Sequence, residues 1–305
     1  MKPILFITHK EQQCGVYQFG KRVFNLLVQD TTVPYIYAEV DSITEYRNLV
    51  NTYQPEAIIY NWHSCTMGWL SEQEVVNDHR KHYFIYHDCS NVRANYDYYF
   101  FFGAYGNGTI PLEKSILVPR PLFKTNYEVL PNDTLTVGSF GFGFWHKGFD
   151  KIVDYMNNNY DRAVINLHIP NAHFGDISGN ETRAVADKCR EINRRKNLTL
   201  NITHNFLTDE ETLLFLSKND VNMFYYGYNA NDGIASVIDY ALSVNRPIAI
   251  QNTPYLRHVY KPEIDWSLNS VEDIVKLGTT PLEDFYTRWS NDNFIKEFHS
   301  IFTRS

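Results

Sequence analysis

The sequence predicts an α/β fold of two Rossmann-like domains facing each other across a cleft. Three observations predict it. Short apolar runs rich in β-branched and aromatic residues alternate with stretches of helical period, the pattern of βα units on a parallel sheet. The alternation breaks once, around Pro119, Pro121 and Pro131, and then restarts. At 305 residues the chain is long for a single core, and two domains are the natural division.

The first domain, residues 1–121, opens with the strand Pro3–Thr8. A polar loop follows, Gly15 closes it, and a helix spans Val16–Val28 with Val16, Phe19, Val23, Leu26 and Leu27 on one face. Strand, glycine-bearing loop and helix is a geometry that lets backbone approach a phosphate or sugar. Val33–Val40 is the second strand. Ser42 and Glu45 have capping-box spacing at the start of the helix Ser42–Thr52. Glu56–Trp62 is a third strand, ending at His63. Ser71 and Glu74 repeat the capping spacing for a helix to Arg80. His82–Tyr86 is the next strand, and His87 and Asp88 sit at its C-terminal end, the ligand-binding edge of an open α/β sheet. Asp97–Phe102 (DYYFFF) has the length of a core strand and is too short for a membrane span. Ser115–Val118 is the last strand of this half.

Residues 122–134 read as a linker. The second domain, 135–285, starts on the strand Thr134–Phe140, followed by the glycine-rich turn Gly141-Phe142-Gly143, then Lys147-Gly148 and a helix Phe149–Asn157. Ala163–Ile169 and Leu198–Ile202 are strands flanking a polar helix Glu181–Lys196. Thr208 and Glu211 form a capping box before the helix Glu210–Ser217, and Val221–Tyr225 is a strand. Asn231–Ile250 (NDGIASVIDYALSVNRPIAI) then reads as turn, helix and strand. Ile234, Val237, Ile238, Ala241 and Leu242 make one apolar face; Ser236, Asp239, Tyr240 and Ser243 make the other. Pro247 cannot continue the helix. The free N–H groups and positive dipole end at Gly233–Ser236 suit a phosphate. Closing helices are Val271–Leu277 and Asp292–Phe302, and the tail 286–305 is expected to pack back on the first domain.

Composition narrows the function classes. The net charge is −7, and residues 1–121 carry 10 Lys and Arg against 12 Asp and Glu, so neither half hides a basic domain. Nucleic acid and anionic membrane are therefore disfavoured as partners, although peripheral membrane contact is allowed. Cys14, Cys65, Cys89 and Cys189 have no zinc-like spacing and no C-x-x-C, which fits reduced thiols in the cytoplasm. No apolar run reaches membrane-span length. His168, His173 and Asp176 lie in one loop, but without a third ligand at proper spacing they do not make a metal site.

Four segments carry a resemblance: Gly15-Val16 leading into the first helix, Tyr86-His87-Asp88, Gly138–Val153 (GSFGFGFWHKGFDKIV) and Asp232–Ile250. In order and spacing they resemble retaining glycosyltransferases of the GT-B fold, close to family four. The resemblance implies a transferase that moves a sugar from a nucleotide-sugar donor, UDP- or GDP-linked, to a carbohydrate or other hydroxyl acceptor with retention. It implies donor contacts from Gly15, Val16, Gly141, Phe142, Gly143, Lys147, Phe206, Asp232, Gly233, Ile234, Ala235, Ser236, Asp239 and Tyr240. His87, Lys147 and Asp232 are the catalytic candidates, and His63, Asp88 and Tyr105 the acceptor candidates. The chain departs from the family pattern where a Glu pair is usual: Asp232 and Tyr240 stand there, with Asp239 alongside, and Phe142 stands in place of an Arg. No Asp-x-Asp occurs, so no metal and no cofactor beyond the donor is expected, and Lys147 with backbone N–H groups would carry the diphosphate. Two alternatives stand beside this expectation: a glycosyltransferase acting on modified nucleic-acid bases, and a non-catalytic nucleotide-sugar-binding relative.

Overall fold

Strands covered on both faces have to be apolar throughout, and the runs that meet this condition are the ones that pair. The computed structural model describes residues 2–87, 96–106, 110–128, 131–172, 175–195, 197–227 and 233–303. They form two compact units, one of residues 2–121, Gly233–Ile234 and 288–303, the other of residues 122–227 and 235–287.

The first unit contains β1 (Ile4–Thr8), α1 (Gly15–Leu27), β2 (Tyr35–Glu39), α2 (Ile43–Tyr53), β3 (Ala57–Tyr60), α3 (Glu72–Val76), β4 (Lys81–Ile85), β5 (Tyr98–Phe102) and β6 (Ser115–Val118). Its parallel sheet has the order β2-β1-β3-β4-β5-β6. All of β1 and β3 is buried, as their unbroken apolar sequences require. One sheet face packs under α1, with Phe6, Phe19, Val23, Ile59, Ile85, Phe100 and Phe102 in the core. The C-terminal helix α10 (Asn291–Thr303) closes the same core. Its Phe294 and Phe298 rings stack at 4.7 Å, and Phe298 lies 5.0 Å from Phe100.

The second unit contains β7 (Thr136–Phe140), α4 (Phe149–Asn159), β8 (Ala163–His168), α5 (Asn180–Ile192), β9 (Leu198–Thr203), α6 (Asp209–Ser217), β10 (Val221–Met223), α7 (Val237–Ser243), β11 (Ile248–Ala249), α8 (Val271–Leu277) and α9 (Glu283–Arg288). Its sheet is also parallel, in the order β11-β10-β7-β8-β9. The residues read as a linker are tied to this unit: the Phe123 N–H donates to Ser243 Oγ at 2.8 Å, Thr125 Oγ1 donates to the Ser243 carbonyl, and Asn132 Nδ2 donates to the Lys218 carbonyl at 3.0 Å.

Several local expectations change. The helix expected from Ser71 to Arg80 ends at Val76, and Ser71 makes no side-chain cap. Its would-be partner Glu74 accepts from Arg47 instead, and Asp78 holds Arg80 outside the helix at 2.8 Å. The helix expected to reach Lys196 stops at Ile192, because Asn157 Oδ1 accepts from the Arg194 and Arg195 N–H groups and draws the chain away. Thr208 and Glu211 do form the reciprocal capping box, and Ser42 accepts from the Glu45 N–H at 3.3 Å. The largest change is α7. It starts at Val237 rather than near Ile234, and all seven of its residues are buried, on the polar side as well as the apolar one. No helix among the described residues is long and apolar enough to cross a membrane.

Phe298 is 1% exposed and fills the space between α10 and β5. Phe298→Ala should cost about 3–5 kcal/mol, read as a lower urea midpoint with an unchanged slope.

Candidate functional site

In an open parallel sheet, every strand presents its C-terminal end to the same edge, and a crevice opens where the strand order reverses. The first sheet reverses between β1 and β3, and the second between β7 and β10. Most of the described site candidates lie at or close to these two places.

In the first unit, His9 follows β1, Asn61 and His63 follow β3, and His87 follows β4 after one residue. His87 is half-buried and its Nε2 lies 2.7 Å from Asn61 Oδ1. Phe19 of α1 meets the His87 ring edge-on at 5.4 Å and carries the Arg120 guanidinium over its own face at 4.9 Å. Burial, with His63, Arg120 and His9 nearby, lowers the His87 pKa to about 3, so this imidazole is neutral at physiological pH. His9, 1% exposed, is lowered to about 4 by burial and by His63, whose ring is 6.1 Å away. The Glu11 N–H donates to His9 Nδ1 at 3.2 Å, and His9 Nε2 has no hydrogen-bond partner among the described residues.

Gly15 is the first residue of α1, and a Cβ placed on it would meet nothing within 4 Å, so its backbone is open to close approach. The Val16 carbonyl accepts from Asn61 Nδ2 at 2.9 Å. His63 is part-buried, with Nδ1 3.5 Å from Thr66 Oγ1. Tyr105 is 43% exposed and packs on Phe101 at 5.7 Å. Asp88 lies outside the described residues.

In the second unit, β7 runs into Gly141-Phe142-Gly143 and then a short 3-10 turn, Trp145–Lys147. Two close approaches shape this loop. A Cβ on Gly143 would come within 2.4 Å of Thr182 Oγ1. Gly148, at φ +58°, is in the left-handed region, and a Cβ there would be 2.0 Å from the Tyr225 ring. The loop is thereby pinned between α5 and the end of β10, and Lys147 is aimed at Tyr226. Lys147 Nζ donates to Tyr226 Oη at 2.8 Å and lies 4.1 Å from the ring centroid. Burial lowers Lys147 to about 7, and no carboxylate among the described residues pairs with it. The rings of His146 and Tyr255 enclose the same place, 6.2 and 5.3 Å from Tyr226.

The backbone N–H groups expected to receive phosphate are partly used. Gly141 donates to the His168 carbonyl at 3.1 Å, Gly143 to the Pro170 carbonyl at 3.2 Å, and Ala235 to the Tyr255 carbonyl at 2.9 Å. In this structure these three N–H groups donate within the protein. Gly233, Ile234 and Ser236 precede α7 and are not part of it; Phe142 is part-buried in the loop, and Phe206 is 41% exposed beyond β9. Asp239 is fully buried in the first turn of α7. The Tyr240 hydroxyl donates to Asp209 at 2.5 Å, and its ring packs on Phe123 and Phe140. That hydroxyl therefore braces α7 against α6. Asp232 lies outside the described residues.

Among the described residues no His, Cys, Asp or Glu side chains are grouped to hold a metal ion. Asp176 is engaged in capping: it accepts from the Glu181 and Thr182 N–H groups at 3.1 and 2.8 Å, at the start of α5. His168 Nδ1 is 2.8 Å from Thr203 Oγ1; His173 lies outside the described residues. Asn61, His9, Arg120 and Tyr226 were not singled out from sequence. Each follows a strand, but only strand order shows which strand ends are neighbours.

This architecture, two parallel sheets of six and five strands each with one reversal, is the GT-B fold. No protein-family model and no curated protein sequence matches the chain. Solved structures do match over nearly the whole length. HepE from Anabaena, in complex with UDP and glucose, has a TM-score of 0.69 at 10% identity, covering 100% of both chains. A glycosyltransferase from Rickettsia africae has 0.65 at 8%, covering 99% of each. Sucrose-phosphate synthase from Thermosynechococcus elongatus has 0.64 at 14%, covering 99% of this chain and 95% of its own.

A hydrogen bond to the ammonium form favours that form. Tyr226→Phe should therefore lower the Lys147 pKa below its value of about 7, read by NMR titration of the lysine Cε.

Proposed function

We propose that the protein is a glycosyltransferase that moves a sugar from a nucleotide-sugar donor to an acceptor hydroxyl. Lys147 carries the proposal. It is a desolvated cation without a carboxylate partner among the described residues, placed where the second sheet reverses strand order. A half-buried cation with no carboxylate partner among the described residues favours an anion, and a diphosphate supplies one. The fold supports the reading, because HepE of the same fold was solved with UDP, with UDP-glucose and with UDP and glucose.

Residues 135–285 are proposed to hold the donor and residues 1–121 the acceptor. Lys147 then stabilises charge developing on the leaving diphosphate. Asp232 and residues 233–236 are proposed to contact the donor sugar or ribose, and His63, Asp88 and Tyr105 the acceptor; Asp239, fully buried in α7, is withdrawn as a donor contact. Retention of configuration and membership of family four rest on the sequence resemblance, and independence of metal on the lack of Asp-x-Asp. A reducing compartment is proposed on the same footing; Cys14, Cys65 and Cys189 are free thiols.

A thermal-shift panel of UDP, GDP, ADP, CDP and dTDP, followed by sugar transfer from the matching donor, tests the reading. One nucleotide should raise the melting temperature, and its sugar should be transferred. A panel in which none stabilises the fold would overturn the proposal. Binding without transfer to any acceptor would point to the non-catalytic relative.

The protonation of Lys147 sets a pH dependence. A lysine lowered to about 7 is mostly neutral at pH 8, and a bound diphosphate pulls its proton back on. The UDP dissociation constant should therefore rise by about tenfold per pH unit between pH 7.5 and 9. Calorimetry should show this slope in the native protein and its loss in Lys147→Met, which binds weakly throughout. The sign for folding is opposite. The unfolded chain binds this proton up to pH 10.5, so the free protein gains stability as pH rises from about 7 towards 10.5.

A further inference from the structure

At the end of β3, the buried Asn61 side chain has three partners. Its Nδ2 donates to Thr8 Oγ1 at 2.8 Å and to the Val16 carbonyl at 2.9 Å, and its Oδ1 lies 2.7 Å from His87 Nε2. A main-chain carbonyl only accepts, so the amide nitrogen has to be the atom facing Val16. The amide oxygen is then the atom facing His87, and it accepts too. The contact is a hydrogen bond only if Nε2 carries the proton.

Turning the amide over would set its oxygen against the Val16 carbonyl, so the hydrogen bonds fix its orientation. Asn61 is fully buried and its own N–H donates to the Ile7 carbonyl at 2.8 Å. On the helix side Gly20 lies so close that a Cβ there would be 2.1 Å from Asn61 Nδ2. Gly20 follows Val16 by one helical turn, so the same helix face that offers the carbonyl leaves the space the amide occupies.

We propose that Asn61 is a positioning residue that holds His87 in the Nε2–H tautomer, so that Nδ1 is its acceptor atom towards a substrate hydroxyl. The inference rests on the reading of His87 as a transfer-site residue. It assigns His87 a neutral, hydrogen-bond-accepting role. The groups facing His87 agree. His9 from β1, His63 from β3 and Arg120 from beyond β6 all disfavour a second positive charge, and Phe19 from α1 supplies a ring edge. No described carboxylate is among its electrostatic neighbours.

The test is long-range ¹⁵N–¹H NMR of the imidazoles in the whole protein, without substrate. Native His87 should show a protonated Nε2 and an unprotonated Nδ1, unchanged from pH 5.5 to 8.5. An Nδ1–H tautomer, or an imidazolium anywhere in that range, would overturn the proposal. Asn61→Ser removes the amide oxygen, and a folded variant should populate both tautomers. An Asn61→Ser protein with native circular dichroism and an unchanged tautomer would remove Asn61 as the cause. If Asn61→Ser does not fold, Thr8→Val serves: the Val16 carbonyl alone should keep the amide orientation and the Nε2–H signal, and a switched tautomer would sink the argument. The resting-state spectrum is independent of turnover. A correct tautomer with no sugar transfer would leave this assignment standing while the proposed function failed.

Discussion

The structure depends on a constraint of parallel pairing: all strands of a sheet end at one edge, and that edge opens only where the order reverses. Each unit has one reversal, between β1 and β3 and between β7 and β10. The polar residues that follow these strands meet there because neighbouring strands bring them together. Thr8 bonds Asn61 across the first reversal, and Lys147 bonds Tyr226 across the second. The rest of the fold keeps these places rigid. Aromatic rings from β5 and α10 fill the core of the first unit, and Gly143 and Gly148 let the Lys147 loop lie against α5 and Tyr225.

Electrostatics at the two places follow one rule with two outcomes. Burial disfavours charge. For His87 and His9, with starting pKa values near neutrality, this gives neutral imidazoles that can each donate on one side and accept on the other. For Lys147 it leaves an ammonium close to losing its proton and favours arrival of an anion. No carboxylate among the described residues pairs with Lys147 to stabilise the cation and remove that demand. With Phe142 in the place of an Arg, the loop holds its lysine by an aromatic hydroxyl and ring rather than within a cluster of cations.

Much of the fold was legible because its signals are local. The unbroken runs ILFIT and AIIY can only be strands covered on both faces, and Thr208 and Glu211 cap a helix by their spacing alone. The failures are equally specific. Ser71 was a good cap by type, but Arg47, distant in sequence, took Glu74 away. In α7 the period separated polar from apolar positions, but both sets are buried, with Tyr240 bonding Asp209 and Ser243 bonding the chain near Phe123. Ala235 was read as a free donor, but its N–H belongs to Tyr255. In each case a partner far along the chain decided the outcome.

The sequence by itself determined the alternation of strands and helices and the glycine-rich loop before Lys147. These follow from side-chain period and glycine permissiveness, which act over a few residues. Strand order, and with it the meeting of His9, Asn61, His63 and His87, was decided only by the tertiary structure. So were the lowered pKa of Lys147 and the orientation of the Asn61 amide. Which strand ends are neighbours, how much water a side chain loses and which carbonyl an amide faces are set by segments tens of residues apart, and their relation exists only once the sheet has formed.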